Sequence, residues 1–183
     1  RSYYFADGEG WINASDLSTT DNRIEAVQKV LNEKYNNQEH ISVYVKQLDT
    51  DRVAAINDEK SMYAASIAKL GVLYYAQERL SQKKLSLSNE YQYTSTVNGF
   101  PGAYDPDGSG KISKMTDDKN YSLENLLKAV AQNSDNVATN ILGYYVANQY
   151  DNSFQKSVDK ASATSWNMDK KELTARAAGT LME

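Results

Sequence analysis

The chain contains no cysteine and a single histidine, His40. That removes disulfides, thiol catalysis and the usual zinc-ligand spacings together, and the sequence implies no metal and no cofactor. His40 stands at the edge of an expected strand with no serine or second histidine in register, so it reads as a surface or capping residue. Apolar runs are short, and none approaches the length that spans a bilayer. Basic and acidic residues nearly balance, 20 against 24 for a net charge of -4, so no basic patch argues for nucleic acid as a partner. No signal-peptide pattern opens the chain; it begins at Arg1, and the expectation is a trimmed product whose targeting segment lay upstream.

What is present suits one domain with a real core: 183 residues, 40% hydrophobic and 24% charged. Fourteen tyrosines against two prolines, among many Asn and Gln, fit a polar surface dotted with aromatics in a cell-surface or carbohydrate-rich setting. Residues 1–17 carry aromatics around Gly8 and Gly10 and read as a turn with one or two short strands. Gly10-Trp11-Ile12 resembles a string in the last strand of the SH3-like surface repeats that precede enzymatic domains in Gram-positive bacteria. From Thr20 or Asp21 the period becomes helical through Ile24, Val27, Val30, Leu31 and Tyr35. Alternation at Ile41, Val43 and Val45, a turn, and Val53 to Ile56 predict an antiparallel hairpin.

Met62 to Leu80 reads as one helix, apolar on more than one stripe and therefore buried on several sides. Ser66 and Lys69 are three apart in it, and helical geometry points such a pair the same way. A serine hydroxyl needs a base beside it to act as a nucleophile. A lysine serves only if burial or a neighbouring cation depresses its pKa, and Lys69 between Ala68 and Leu70 is set for that. The plain alternative is a lysine that reaches solvent or pairs with one acid.

Residues 81–121 are polar. Asp105-Pro106-Asp107-Gly108-Ser109-Gly110 opens like a calcium loop, but Thr116 stands where the closing glutamate belongs, so a Gly-rich connection is the better reading. Ser122 caps a helix faced by Leu123, Leu126, Leu127 and Val130, and a second runs through Val137, Ile141, Leu142, Tyr145 and Val146. Between them, Ser134-Asp135-Asn136 forms a polar joint, either a cap or a set of side chains aimed into a cleft. Residues 151–173 are polar with Phe154, Val158, Trp166 and Met168 as anchors, and Thr174 begins a last helix.

Ser66-Ile67-Ala68-Lys69 followed by Ser134-Asp135-Asn136 resembles the serine β-lactamase and penicillin-binding transpeptidase family, class A above all. The likeness extends through Gly108-Ser109-Gly110-Lys111-Ile112, Tyr121 to Leu127, Asn136 to Leu142 and Leu173-Thr174-Ala175-Arg176. It implies an α/β (α+β) fold of β-lactamase/transpeptidase type, a helical cluster packed on an antiparallel sheet whose C-terminal strands are absent from this chain. Residues 1–18 would be an N-terminal arm and 19–183 a domain incomplete at its C-terminus. By resemblance Ser66 is the acylated nucleophile, Lys69 its proton acceptor, Ser134 the shuttle to the leaving nitrogen, and Asn136 the holder of a substrate amide and brace for Lys69. The Ser66 backbone N–H supplies half an oxyanion hole. The implied substrates are β-lactams or peptidoglycan-like peptides, in an extracellular or cell-surface bacterial setting.

Two departures stand out. Class A β-lactamases use an omega-loop glutamate to activate the deacylating water. Here Glu172 is the candidate, though it lacks the family's context and suits a helix N-terminal acid better. The third family signature, Lys-Thr-Gly, does not occur before Glu183. The expectation is therefore a chain completed by a C-terminal fragment or a second chain. A non-catalytic or slowly deacylating penicillin-binding-like surface domain is the alternative function.

Overall fold

A computed structural model describes residues 21–183 in full, together with the backbone of residues 3–6 and 10–13. The latter form an antiparallel pair, β1 (Tyr3–Ala6) and β2 (Gly10–Asn13), with Phe5 opposite Trp11. The remainder of the arm, and with it the reading as the close of an SH3-like repeat, lies outside the described residues.

Helix α1 (Arg23–Tyr35) packs on the hairpin β3 (Val43–Gln47) and β4 (Arg52–Ile56), in which Val45 faces Ala54. Ile24 and Leu31 are buried against Ala54, with Val27 and Tyr35 flanking them. Val30, expected on this face, is 46% exposed. The reason is angular: at 3.6 residues per turn it falls outside the stripe drawn by positions 24, 27, 31 and 35. Gln28 reaches from the helix to the strand, its Nε2 donating to Ala55 O at 3.0 Å and its Oε1 accepting from Ala55 N at 2.8 Å. A side-chain amide thereby satisfies a peptide group on the outer edge of β4.

The stretch expected as one helix from Met62 divides into three. Met62–Tyr63 (β5) pairs with Glu172–Leu173 (β8), Ala65–Ala68 forms a 3-10 turn, and the α-helix proper, α2, runs Lys69–Ser81. Apolar content could not reveal this break, because residues of a buried strand and a buried helix look alike over so few positions. A further antiparallel pair, β6 (Glu90–Gln92) with β7 (Asn120–Ser122), leads into α3 (Leu123–Asn133).

Around α2 gather α3, α4 (Asn136–Tyr145), α5 (Asn152–Ser162) and α6 (Ala175–Leu181). Each of these four is capped as its sequence directs: Ser122, Asp135, Asp151 and Thr174 accept from backbone N–H groups of their first turns. Helix α5 was not foreseen. Its inward face is carried by Phe154, Val158 and Ser162, too few large apolar residues to register as a period. Residues Asn136 to Gly143 of α4 are all buried, so α4 is the central post of the core. Gly71 lets α2 approach α5 and its following loop: a Cβ there would lie 3.3 Å from the Trp166 ring and 3.4 Å from Phe154. The fold is α+β, with a helical cluster against antiparallel β-structure.

Candidate active site

Ser66 lies in the 3-10 turn that delivers the chain into α2. The residue before it, Ala65, has φ 47°, the left-handed region that costs a non-glycine residue about 1 kcal/mol. Two contacts hold the kink: Tyr104 OH donates to Ala65 O at 3.1 Å, and Ala64 N donates to Lys171 O at 2.9 Å. The kink leaves Ser66 exposed and turns Ala68 and Lys69 inward.

Lys69 is 2% exposed, and its three ammonium protons meet neutral oxygens. Nζ donates to Ser134 O at 2.6 Å, Ser134 Oγ at 3.0 Å and Asn136 Oδ1 at 2.6 Å. It also stands 4.6 Å from the centre of the Tyr104 ring. Burial pushes its pKa down from 10.5 to about 8; the Asp135 charge opposes that and the Lys171 charge adds to it.

The partners of Lys69 come from the joint between α3 and α4. Ser134, at φ 50°, ends α3 in the left-handed conformation, and this turns its carbonyl and its hydroxyl to the same ammonium. Asp135 is fully buried: Oδ1 accepts from Ala138 N at 2.9 Å, and Oδ2 from Lys111 N at 2.6 Å and Ile112 N at 2.9 Å. One carboxylate thus caps α4 and moors the 105–112 loop to it. Gly110 sits at φ 136°, where a Cβ would lie 2.5 Å from Asp135 Cγ, so only glycine fits. Asn136 N donates to Ser109 O at 2.8 Å and its Nδ2 to Asp105 O at 2.8 Å, which leaves Oδ1 for Lys69. The Gly-rich segment is a cradle for Asn136. Among the described residues no group of three or more His, Cys, Asp or Glu side chains is placed to hold a metal ion.

The structure therefore brings Lys69, Ser134 and Asn136 into one hydrogen-bonded cluster. No hydrogen bond joins Ser66 Oγ to Lys69 Nζ among the described residues, although both line a cleft of about 330 Å³ with Ser134, Leu73 and Val130. A second cleft of about 310 Å³ on the other side of Ser66 is lined by Tyr104, Ser109, Asn136 and Lys171. Glu172 belongs to β8, opposite Tyr63, and lines neither cleft. His40 borders a separate apolar groove with Ile67, Leu173 and Ala178.

Three contributors escaped the sequence. Tyr104 supplies both the ring beside Lys69 and the hydroxyl on Ala65 O. Asn140, fully buried one turn into α4, grips the Tyr104 backbone through Oδ1 to its N at 2.7 Å and Nδ2 to its O at 2.8 Å. A buried Asn on an apolar helix was the one available signal, because its amide must find partners. Lys171 had no such signal, sitting in a polar run before α6.

The sequence pattern of the family described as "Beta-lactamase enzyme family" matches residues 22–183. No curated protein matches the chain. Among solved structures, PBP-A superimposes with a TM-score of 0.66 at 17% identity, over 86% of this chain and 60% of its own. A variant of PBP-A has been captured as an acyl-enzyme with penicillin G. A β-lactamase from Sphaerobacter thermophilus gives 0.62 at 17%, covering 88% of this chain and 61% of its own. The D-alanyl-D-alanine carboxypeptidase DacD of Francisella tularensis gives 0.65 at 15%, covering 93% and 40%. At such identities the superpositions establish a common fold, and the chain spans about three fifths or less of these three proteins.

Proposed function

Because the chain belongs to the beta-lactamase enzyme family, we propose that it carries the acylation half of a serine acyl-enzyme mechanism of class A type. Its substrates would be β-lactams or cell-wall peptide-like amides, met on the outer face of a bacterial cell. The observation that carries the reading is Lys69: an amine 2% exposed, held by Ser134 and Asn136 on neutral acceptors, with its pKa drawn down to about 8. In its neutral form such an amine is a base at near-physiological pH. Ser66 Oγ attacks the substrate carbonyl carbon while its proton passes to Lys69 Nζ. The C–N bond then breaks, and the departing nitrogen takes a proton through the Ser134 hydroxyl, which is itself bonded to Lys69. The product is an ester on Ser66 and a free amine, and water must attack that ester to regenerate the serine.

Slow release is the second reading, and one placement favours it. Glu172 is held in β8 and lines neither cleft, and the carboxylate that does line one of them, Asp105, accepts through Oδ1 from Asp107 N at 2.9 Å. A domain that acylates readily and deacylates slowly behaves as a penicillin-binding protein. The test is intact mass after exposure of the full-length protein to benzylpenicillin, with Ser66→Ala as control. A persistent adduct confined to Ser66 is expected. An adduct that survives Ser66→Ala, or none in the parent, sinks the proposal; rapid loss of the adduct would favour hydrolysis over retention.

A further inference from the structure

Two clefts meet at Ser66 and differ in chemistry. Lys69 and Ser134 line the one where the leaving nitrogen must be protonated. The other, with Asn136, remains for the acyl side of the substrate, and it contains a second lysine. Lys171 is fixed there by its backbone: φ is 54°, its N donates to Met168 O at 3.3 Å and its carbonyl accepts from Ala64 N at 2.9 Å. A strained, doubly tied residue beside a nucleophile is where a functional constraint is expected to appear. The side chain folds over Tyr104, its Nζ 4.5 Å from the ring centre, and donates to Gly102 O at 3.2 Å. Lys69 and Lys171 therefore share one aromatic ring as a common neighbour.

Lys171 is half-buried, and among the described residues its ammonium meets a ring face and one carbonyl. Asp169 acts on it electrostatically, but desolvation remains the larger influence on its charge. Asp105, in the same cleft, has one carboxylate oxygen, Oδ1, held by its own turn. A cation compensated this incompletely, open to a substrate cleft, is a receptor for a negative charge.

We propose that Lys171 is a specificity-determining residue that selects substrates whose acyl group carries a free carboxylate, placed in the Asn136 cleft next to the carbonyl that Ser66 attacks. This inference rests on Ser66 being the nucleophile. The experiment compares two reagents that differ by one carboxylate on the acyl side chain, α-carboxybenzylpenicillin and benzylpenicillin, by second-order acylation rate measured from intact mass. The full-length parent should acylate faster with the carboxylated reagent by roughly tenfold, the effect of one charge-assisted hydrogen bond. Lys171→Met should abolish the preference, read as the ratio of the two rates within the same variant so that any change at Lys69 cancels, and Lys171→Arg, which keeps the charge, should retain most of it. Melting curves establish that both variants fold. Equal rates in the parent, or a preference that survives Lys171→Met, overturn the inference and leave Ser66 standing. No adduct from either reagent removes the Ser66 reading and this one with it.

Discussion

If Lys69 is the base for Ser66, the rate of acylation must follow the deprotonation of a buried amine. An exposed lysine at its ordinary 10.5 leaves about three molecules in ten thousand neutral at pH 7, whereas a value of about 8 leaves about one in ten. The fold thus supplies roughly 300 times more of the reactive form. Plotted against pH, the second-order rate of acylation by benzylpenicillin should climb about tenfold per unit from pH 6 and level off above about pH 8. Lys69→Arg, with a guanidinium that does not deprotonate in this range, should abolish acylation across it. Stopped-flow or quenched-flow mass spectrometry gives the profile. A flat profile, or a limb still rising toward 10.5, would refute the argument, because either means that the amine which titrates is not desolvated as Lys69 is.

The same shift predicts a stability signature. Since the folded pKa of Lys69 lies below its unfolded one, the unfolded chain holds more protons between about 8 and 10.5, so stability rises with pH across that window and the burial penalty is fully present below it. The difference in urea-unfolding free energy between parent and Lys69→Met should therefore change by about 3 kcal/mol from pH 7 to above pH 10, and a constant difference would contradict it. At Gly108 a Cβ would overlap the Asn136 amide. Gly108→Ala should accordingly lower acylation about tenfold for about 1–2 kcal/mol of stability, whereas Gly99→Ala, whose Cβ meets nothing nearer than 3.8 Å, should leave the rate unchanged. Thr174→Ala removes the acceptor for Ala177 N at 3.0 Å and should reduce thermal stability by about 1 kcal/mol without altering acylation; a loss of activity there would mean that α6 sets the site more directly than its packing suggests.

The order of the parts was written in the chain. Caps at Ser122 and Thr174, the α1 stripe and the β3–β4 alternation are local properties, governed by which side chains can bond the nearest backbone and which face repeats at 2 or 3.6 residues, and they were legible for that reason, whereas the sequence left open whether the Ser134–Asn136 joint caps a helix or faces a cleft. Ser66, Lys69, Ser134 and Asn136 could be named because two short signatures occur in the family's order. The bracing of Lys69 by Asn136 followed only by resemblance; the hydrogen bonds gave it geometry and added Ser134 as a second partner.

What no local pattern contained was the kink before α2, the use of Gly108–Ile112 as a cradle, and the placing of Tyr104, held by Asn140, and Lys171 on the Asn136 cleft. These residues meet across separations of tens of positions, and a polar side chain in a polar run carries no period to announce where it will point. The sequence by itself determined the order of the helices and the two signatures, Ser66 to Lys69 and Ser134 to Asn136, on which the acyl-transfer proposal rests. Only the tertiary structure decided that Lys69 would be dry enough to be a base near neutral pH and that Lys171 would stand beside Ser66, because desolvation and charge proximity are properties of the packed interior.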